Sequence, residues 1–294
     1  MIEIRDMQFL VALARHRHFA KAARDCGISQ PAFSVRIRAL EDRFGVSIVR
    51  RGNRFQGFTE HGDLLVHRAR RILEQTRALE QEVRSASGNV SGMLSMGVIP
   101  TALAYASRLC IHLHKTVPGV IVRIESTTSL LIQQRIDEGT LDAGITYQDG
   151  VSPDLVTVTP LYDERYVLLL PESMAQGRGQ SISWREAAEI PMSMLQPEMR
   201  NRRILDRMFD EVGRHPRVIA ETNNFTTSLV MAREGLAATI VPEVLMSALG
   251  DLGGVRVVRL IEPELTKAIC LVTPSRSPGL PVTEALKRSV AQFS

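Results

Sequence analysis

Within the stretch SQPAFSVRIR, Ser29, Gln30, Ser34, Arg36 and Arg38 bring hydroxyl, amide and guanidinium groups close together. Gln and Arg forks can bond two atoms of a base edge at once, a hydroxyl serves as donor or acceptor, and Arg also neutralises phosphate. No acid interrupts the run before Glu41, whereas a face meant only for water mixes Glu with Lys. These types suit a polyanion with readable edges, which is duplex DNA. A helix must present them. Phe33, Ile37, Leu40 and Phe44 recur at spacings of four, three and four and form one apolar stripe. Ser29 is a good N-cap and Pro31 falls in the first turn, where a missing N–H costs nothing. Upstream, the small side chains of Ala22, Ala23 and Cys26 allow a close crossing, and Gly27 permits the reversal between two short helices. Phe19 to Gly45 therefore reads as a helix-turn-helix. A generic helical hairpin shares that skeleton, and the acid-free polar face is what favours DNA.

Around this unit, Arg5 to Arg15 form a helix whose Met7, Leu10, Val11 and Ala14 cover the pair from behind. Val46 to Val49 and Phe55 to Phe58 flank Gly52–Asn53 as two β-prone pieces of a wing, with Arg50, Arg51 and Arg54 at its tip to meet phosphates or the minor groove. A solvated basic turn is the plainer alternative. Thr59 caps a long helix along which Leu65, Ala69, Ile72, Thr76, Leu79 and Val83 are spaced four and three apart, the seam of a coiled coil. We expect no partner for it within the chain, so a second copy is expected to cover it and to set two reading heads side by side. Packing on its own winged domain is the alternative.

These residues carry a family resemblance. Phe9, Phe19, Ala22–Ala23, SQPAFS, Ile37, Leu40–Glu41, Phe44–Gly45, Arg51, Phe58–Thr59 and Gly62 together resemble the N-terminal signature of the LysR-type transcriptional regulators. The resemblance implies a DNA-binding, effector-responsive regulator of promoters, a dimer or a dimer of dimers, acting through DNA bending or contact with RNA polymerase. It also implies that Arg51 contacts DNA. Many relatives carry a polar or basic residue where this chain has Val35, so one DNA contact differs here.

Charge supports two functions in one chain. Residues 1–90 hold 16 Lys and Arg against 10 Asp and Glu, whereas the remainder holds 20 against 22. The basic excess is confined to the front, the footprint of a polyanion-binding module. No apolar run is long enough to span a membrane, and Glu3 and Asp6 stand where a signal peptide would be apolar, so we expect a cytoplasmic protein without membrane contact. The three cysteines, Cys26, Cys110 and Cys270, sit in apolar patterns and read as small core residues. Redox-sensing members of the resembled family use a cysteine pair in the regulatory domain, and the strand-like setting of Cys270 shows no sign of one. His16 and His18 bracket a helix end, His112 and His114 point to different sides, and no metal or cofactor is expected. A ligand-binding enzyme with a DNA-binding appendage is the competing reading, but the chain has no nucleophile elbow, phosphate-cradling glycine loop or metal-ligand spacing.

The small, polar segment Ser85 to Gly92 separates the parts. We place the DNA-binding domain at 1–59, the dimerisation helix at 60–87, a hinge at 88–92 and an effector domain at 93–294. From Met93 the period changes to alternating strands (GMLSMGVIP, GVIVRIES, LDAGITY) and helices (Thr101 to His114, Thr128 to Glu138), which argues a parallel α/β sheet. A second set follows: PMSML, a helix across Arg202 to Val212, RVIAET, a helix across Thr226 to Glu234, AATIVP, KAICLVTP and a last helix from Pro281. Two half-sheets joined by crossovers near 161–165 and 262–267 resemble the periplasmic-binding-protein-like domain of the family, with lobe I at about 93–161 and 267–294 and lobe II at about 162–266. The resemblance puts a ligand between the lobes. Ligands of such sheets bind beyond the carboxyl ends of strands, at helix N-termini. There stand Thr101, Thr128, Ser129, Thr146, Tyr147, Asn201, Asn224 and Thr226, with Arg200 as counter-charge, a donor-rich set suited to a small anion such as a carboxylate. Each hydroxyl or amide could equally be a helix cap, and Arg200 could pair with Glu198 or Glu221. Family members often hold the effector with a Ser or Thr at the Thr101 position, and the loop around Arg200 resembles the cyanate-responsive branch.

Overall fold

Small side chains at the crossings and one aromatic stripe build the front of the chain. In a computed structural model that describes residues 2–50, 55–85, 90–152, 156–275 and 279–293, α1 (Ile4–His16), α2 (Phe19–Asp25) and α3 (Gln30–Phe44) enclose Leu10, Leu13, Ala22, Phe33, Ile37 and Leu40. The chain divides into two compact units, Met1–Asn89 and Val90–Ser294. Phe9 and Phe19 meet Phe33 edge to face at 5.4 and 6.1 Å. The fully buried rings of Phe9 and Phe33 each contribute about 2 kcal/mol by area, and the half-buried Phe19 less. Gly27 turns the chain at φ 66°, and the Ser29 hydroxyl accepts from Ala32 N at 3.4 Å to open α3.

The expected two-stranded wing is smaller than its sequence suggests. Among the described residues it is one bridge, Val49 to Phe58, with Arg50 N donating to Gly57 O at 3.0 Å. Glu41 from α3 replaces ladder partners, its Oε1 accepting from Ile48 N (2.7 Å) and Val49 N (3.2 Å). Arg51 and Arg54 lie outside the described residues. The long helix α4 (Glu60–Ser85) begins at Thr59, whose Oγ1 accepts from Gly62 N at 3.0 Å. Here α4 runs so close to Ile48 that a Cβ on Gly62 would lie 2.0 Å from its carbonyl oxygen.

The seam on α4 is divided, which corrects the expectation of a helix without a neighbour in its own chain. Leu65 and Ala69 join Val66 and Leu73 in the core shared with α1. Ile72, Leu79 and Val83 are 39, 61 and 64 % exposed, and Thr76 turns its hydroxyl back to Ile72 O at 3.0 Å. A four-three spacing reveals an apolar stripe but not which surface covers it.

In the second unit β1 (Gly92–Val98), a 3₁₀ turn at Pro100–Ala102, α5 (Leu103–Thr116), β2 (Val120–Ser126), α6 (Ser129–Asp137) and β3 (Ala143–Tyr147) form a parallel set. Then come β4 (Val156–Pro171), β5 (Ser181–Ser183), α7 (Trp184–Ala187), β6 (Met192–Leu195), α8 (Arg200–Glu211), β7 (Val218–Thr222), α9 (Phe225–Arg233), β8 (Thr239–Pro242), α10 (Glu243–Leu249), β9 (Val255–Ile261), β10 (Thr266–Pro274) and α11 (Pro281–Gln292). The sheet is mixed, not parallel: β10 runs antiparallel to β3 and β4, and β4 antiparallel to β8 and β9. The two half-sheets are joined at the expected crossover near 161–165, where β4 changes partners. One sheet runs β2-β1-β3-β10-β4-β9-β5 with β8 also on β4, and β6 pairs with β7 apart from it. The sixteen-residue β4 causes this, pairing with β10 up to Arg165 and with β8 and β9 from Tyr166 onward. It belongs to both lobes. Lobe II is centred on Trp184, which packs edge to face on Phe209 at 5.2 Å and donates its Nε1–H to Pro263 O at 2.9 Å. No described helix is long and apolar enough to cross a membrane.

Candidate nucleic-acid interface and effector site

On α3 the stripe Phe33, Ile37 and Leu40 is 0–2 % exposed. The far side must face solvent, and at about 100° per residue Pro31, Val35, Arg38 and Asp42 occupy its middle. All four are exposed, Val35 by 61 %. Gln30 and Arg36 are exposed on either flank of the buried stripe, Ser34 is half-buried, and Ser29 is engaged as the cap. Arg50 is exposed beside the short bridge. The face is cationic and amide-bearing, with an aliphatic side chain at its centre.

Between the lobes, the structure gathers six of the nine candidate effector residues. Thr101, Thr128, Ser129, Tyr147, Arg200 and Asn201 line a cavity of about 10 Å³, room for roughly one water molecule. Thr128 spends its oxygen capping α6, accepting from Leu131 N at 3.4 Å. Thr146, beside Tyr147 on β3, does not line the cavity, because neighbouring strand residues face opposite sides of the sheet. Ser129 Oγ and Asn201 Nδ2 are buried without hydrogen-bond partners. Buried polar atoms are rarely left so, and the set suits a small polar guest. Asn224 and Thr226 are not part of this cavity. Asn224 caps α9, accepting from Thr227 N at 3.0 Å, and both line an apolar groove of about 680 Å³ between α5, α9 and α10.

Arg200 is not held by Glu198 or Glu221. It reaches across the lobes to the carbonyl of Asp149 and to Asp149 Oδ1 at 2.8 Å, with its guanidinium 5.5 Å over the Tyr147 ring. Glu221 instead takes Arg202 at 2.8 Å.

The buried acid beneath the cavity escaped the sequence reading. Glu164 on β4 is 1 % exposed. Its Oε1 accepts from Tyr166 OH (2.5 Å) and Tyr147 OH (3.3 Å), and Thr101 Oγ1 lies 3.3 Å from Tyr147 OH. Burial pushes its pKa up to about 7, against the lowering effect of the hydroxyl bonds. The signal was present in YDERY: Tyr162, Glu164 and Tyr166 alternate, which places them on one face of a strand. Among the described residues no cluster of His, Cys, Asp and Glu could hold a metal ion.

A basic, exposed helix face and a two-lobed α/β domain with a polar seat between its lobes define an effector-controlled DNA-binding protein. Residues 4–63 match the family "Bacterial regulatory helix-turn-helix protein, lysR family", and residues 87–293 match the family "LysR substrate binding domain". The chain belongs to the LysR family of transcriptional regulators. Among its relatives is the DNA-binding transcriptional dual regulator OxyR of Escherichia coli K12, 30 % identical over 97 % of this chain and 95 % of that protein. The HTH-type transcriptional regulator TtuA of Agrobacterium vitis is 28 % identical over 82 % of this chain and 80 % of that protein. Full-length OxyR from Pseudomonas aeruginosa, with one substitution, superposes with a TM-score of 0.75 at 24 % identity, covering 99 % of this chain and 95 % of that one. CbnR in complex with its target DNA does so at 0.68 and 20 % identity, over the whole of both chains. These likenesses establish the fold.

Proposed function

We propose that α3 enters the major groove of promoter DNA with Ser29, Gln30, Pro31, Ser34, Arg36 and Arg38 toward bases and phosphates, while Arg50, Arg51 and Arg54 hold the backbone beside it. The observation that carries this reading is the exposure of Gln30, Arg36 and Arg38 on a helix whose stripe Phe33, Ile37 and Leu40 is buried. Ile72, Leu79 and Val83, bare on α4, pair two copies so that two heads meet a two-fold site, and such dimers associate further into a tetramer. A small effector, an anion by the donors around it, seats between the lobes near Thr101, Ser129, Tyr147 and Asn201. It shifts the lobes and thereby DNA bend or contact with RNA polymerase, in the cytoplasm. The likeness of the Arg200 loop to the cyanate-responsive branch keeps small inorganic anions among the candidates.

The names of several relatives, such as the hydrogen peroxide-inducible genes activator of Haemophilus influenzae, raise peroxide as the signal. A thiol that senses peroxide reacts as thiolate. Burial pushes the Cys270 thiol up to about 11, and burial with the charge of Asp25 raises Cys26. Cys110 is outside the interlobe lining. We therefore read the signal as a bound molecule. Selection of duplexes from a random pool by the full chain and by Gln30→Ala tests the reading helix. The variant is expected to lose about 1–3 kcal/mol of discrimination at one base pair of each half-site. Unchanged base preference would refute the assignment of α3.

A further inference from the structure

The interlobe cavity, at about 10 Å³, has room for about one water-sized group. Outside it, on the other side of Arg200, lies a groove of about 420 Å³ bounded by α8, the residues after β3 and the start of β10. Its charged lining is Arg200, Arg203, Arg207 and Lys267 against Asp149 and Glu211. The three arginines recur at three and four residues, so they stand in one row along α8 with neighbouring side chains about 5–6 Å apart. Like charges at that spacing repel, and the row begins at a helix N-terminus, where the backbone adds positive potential. The first turn of α8 carries no acid, and Met199 offers no side-chain cap.

Asp149 is shared between Arg200 (2.8 Å) and Lys267 (3.5 Å). Arg203 reaches only a carbonyl, Glu198 O, at 3.3 Å. Arg202, on another side of the same helix, shows what full compensation looks like: Asp206 and Glu221, each at 2.8 Å. The groove therefore has a built-in excess of forked donors facing open space.

We propose that this groove is an anion site distinct from the interlobe cavity, binding a small organic or inorganic polyanion with two or more carboxylate or phosphate groups. Arg203 and Arg207 grip it by their forks, and it competes with Asp149 for Arg200 and Lys267. Arg200 also lines the interlobe cavity, so occupancy of the groove alters the wall of the effector seat. The inference goes beyond the reading above, and neither site requires the other.

Isothermal titration of the full-length protein with citrate and with pyrophosphate, at fixed ionic strength in chloride, tests it. Saturable binding of either ion is expected, weakened by about tenfold for each guanidinium removed in Arg203→Ala with Arg207→Ala. Both side chains are exposed, so the fold is kept. Arg207→Lys, which keeps the charge but not the fork, is expected to bind more weakly than wild type and more tightly than Arg207→Ala, and Arg214→Ala, exposed and outside the groove lining, and the cavity variant Ser129→Ala are expected to leave binding unchanged. Three results overturn the proposal: no saturable binding of either ion, an equal loss in Arg214→Ala, or a loss in Ser129→Ala. The last would move the anion into the interlobe cavity and leave the effector reading standing.

Discussion

Replacing Glu164 with Gln removes a titration that the fold displaces. In an unfolded chain this carboxyl ionises near pH 4.5, whereas in the native protein burial holds the proton to about 7. Between those values the native state binds more protons than the unfolded state, so stability falls as pH rises and levels off above the native pKa. From the two values, the loss between pH 5 and pH 8 is about 2.5 kcal/mol. Gln keeps the shape, and its carbonyl can still accept from Tyr166 and Tyr147, but it does not ionise. Its NH₂ stands where Oε2 has no partner, which lowers stability equally at every pH. Trp184, the chain's one tryptophan, is buried in lobe II and reports unfolding of this domain in urea. The stability of Glu164→Gln relative to wild type is expected to rise by about 2.5 kcal/mol from pH 5 to pH 8. A difference that stays flat across that range would show that the carboxyl is not held neutral, and the account of the buried cluster would fail.

Gly62→Ala sets a methyl 2.0 Å from Ile48 O, and a loss of about 1–3 kcal/mol is expected in the unfolding of residues 1–89, with an unchanged thermal midpoint as the contrary result. Leu79→Asp with Val83→Asp places charges on the bare end of α4. Sedimentation should show smaller assemblies with α1 to α3 still folded, and an unaltered mass would move the dimer contact elsewhere. Val35, at the centre of the exposed face of α3, is expected to touch a thymine methyl. Replacing thymines of the selected site by deoxyuridine, one at a time, should weaken wild-type binding at one position and leave Val35→Ala indifferent there. Equal sensitivity of both proteins would exclude that contact.

Local chemistry made the front of the chain legible. The Ser29 cap, Pro31 in the first turn, the Gly27 reversal and the start at Thr59 each depend on a few neighbouring residues. The parallel set β1 to β3 and the helices between followed from period alone. What failed depended on distant partners. The α4 stripe was visible, but its first half is covered by α1, far away in sequence. Asp149 was not weighed for Arg200 because 51 residues separate them. Glu164 lies in a run of charged residues that reads as a surface crossover, and the groups that enclose its carboxyl include Tyr147 and Thr101, far away in sequence. The elements α10 and β9 went unassigned, one a seven-residue helix and the other a short strand following a glycine-rich turn.

The change of partners along β4 has a mechanical consequence. An extended strand can barely lengthen, yet its twist is soft. Two bodies strung on one such strand are therefore kept from drifting apart, and the easiest displacement left to them is a swivel about its axis. The swivel point falls between Arg165 and Tyr166, one residue from the carboxyl of Glu164 and its tyrosine cradle. The axle and the polar seat thus share the same few side chains, so a guest of very small size needs no long lever to turn one lobe on the other.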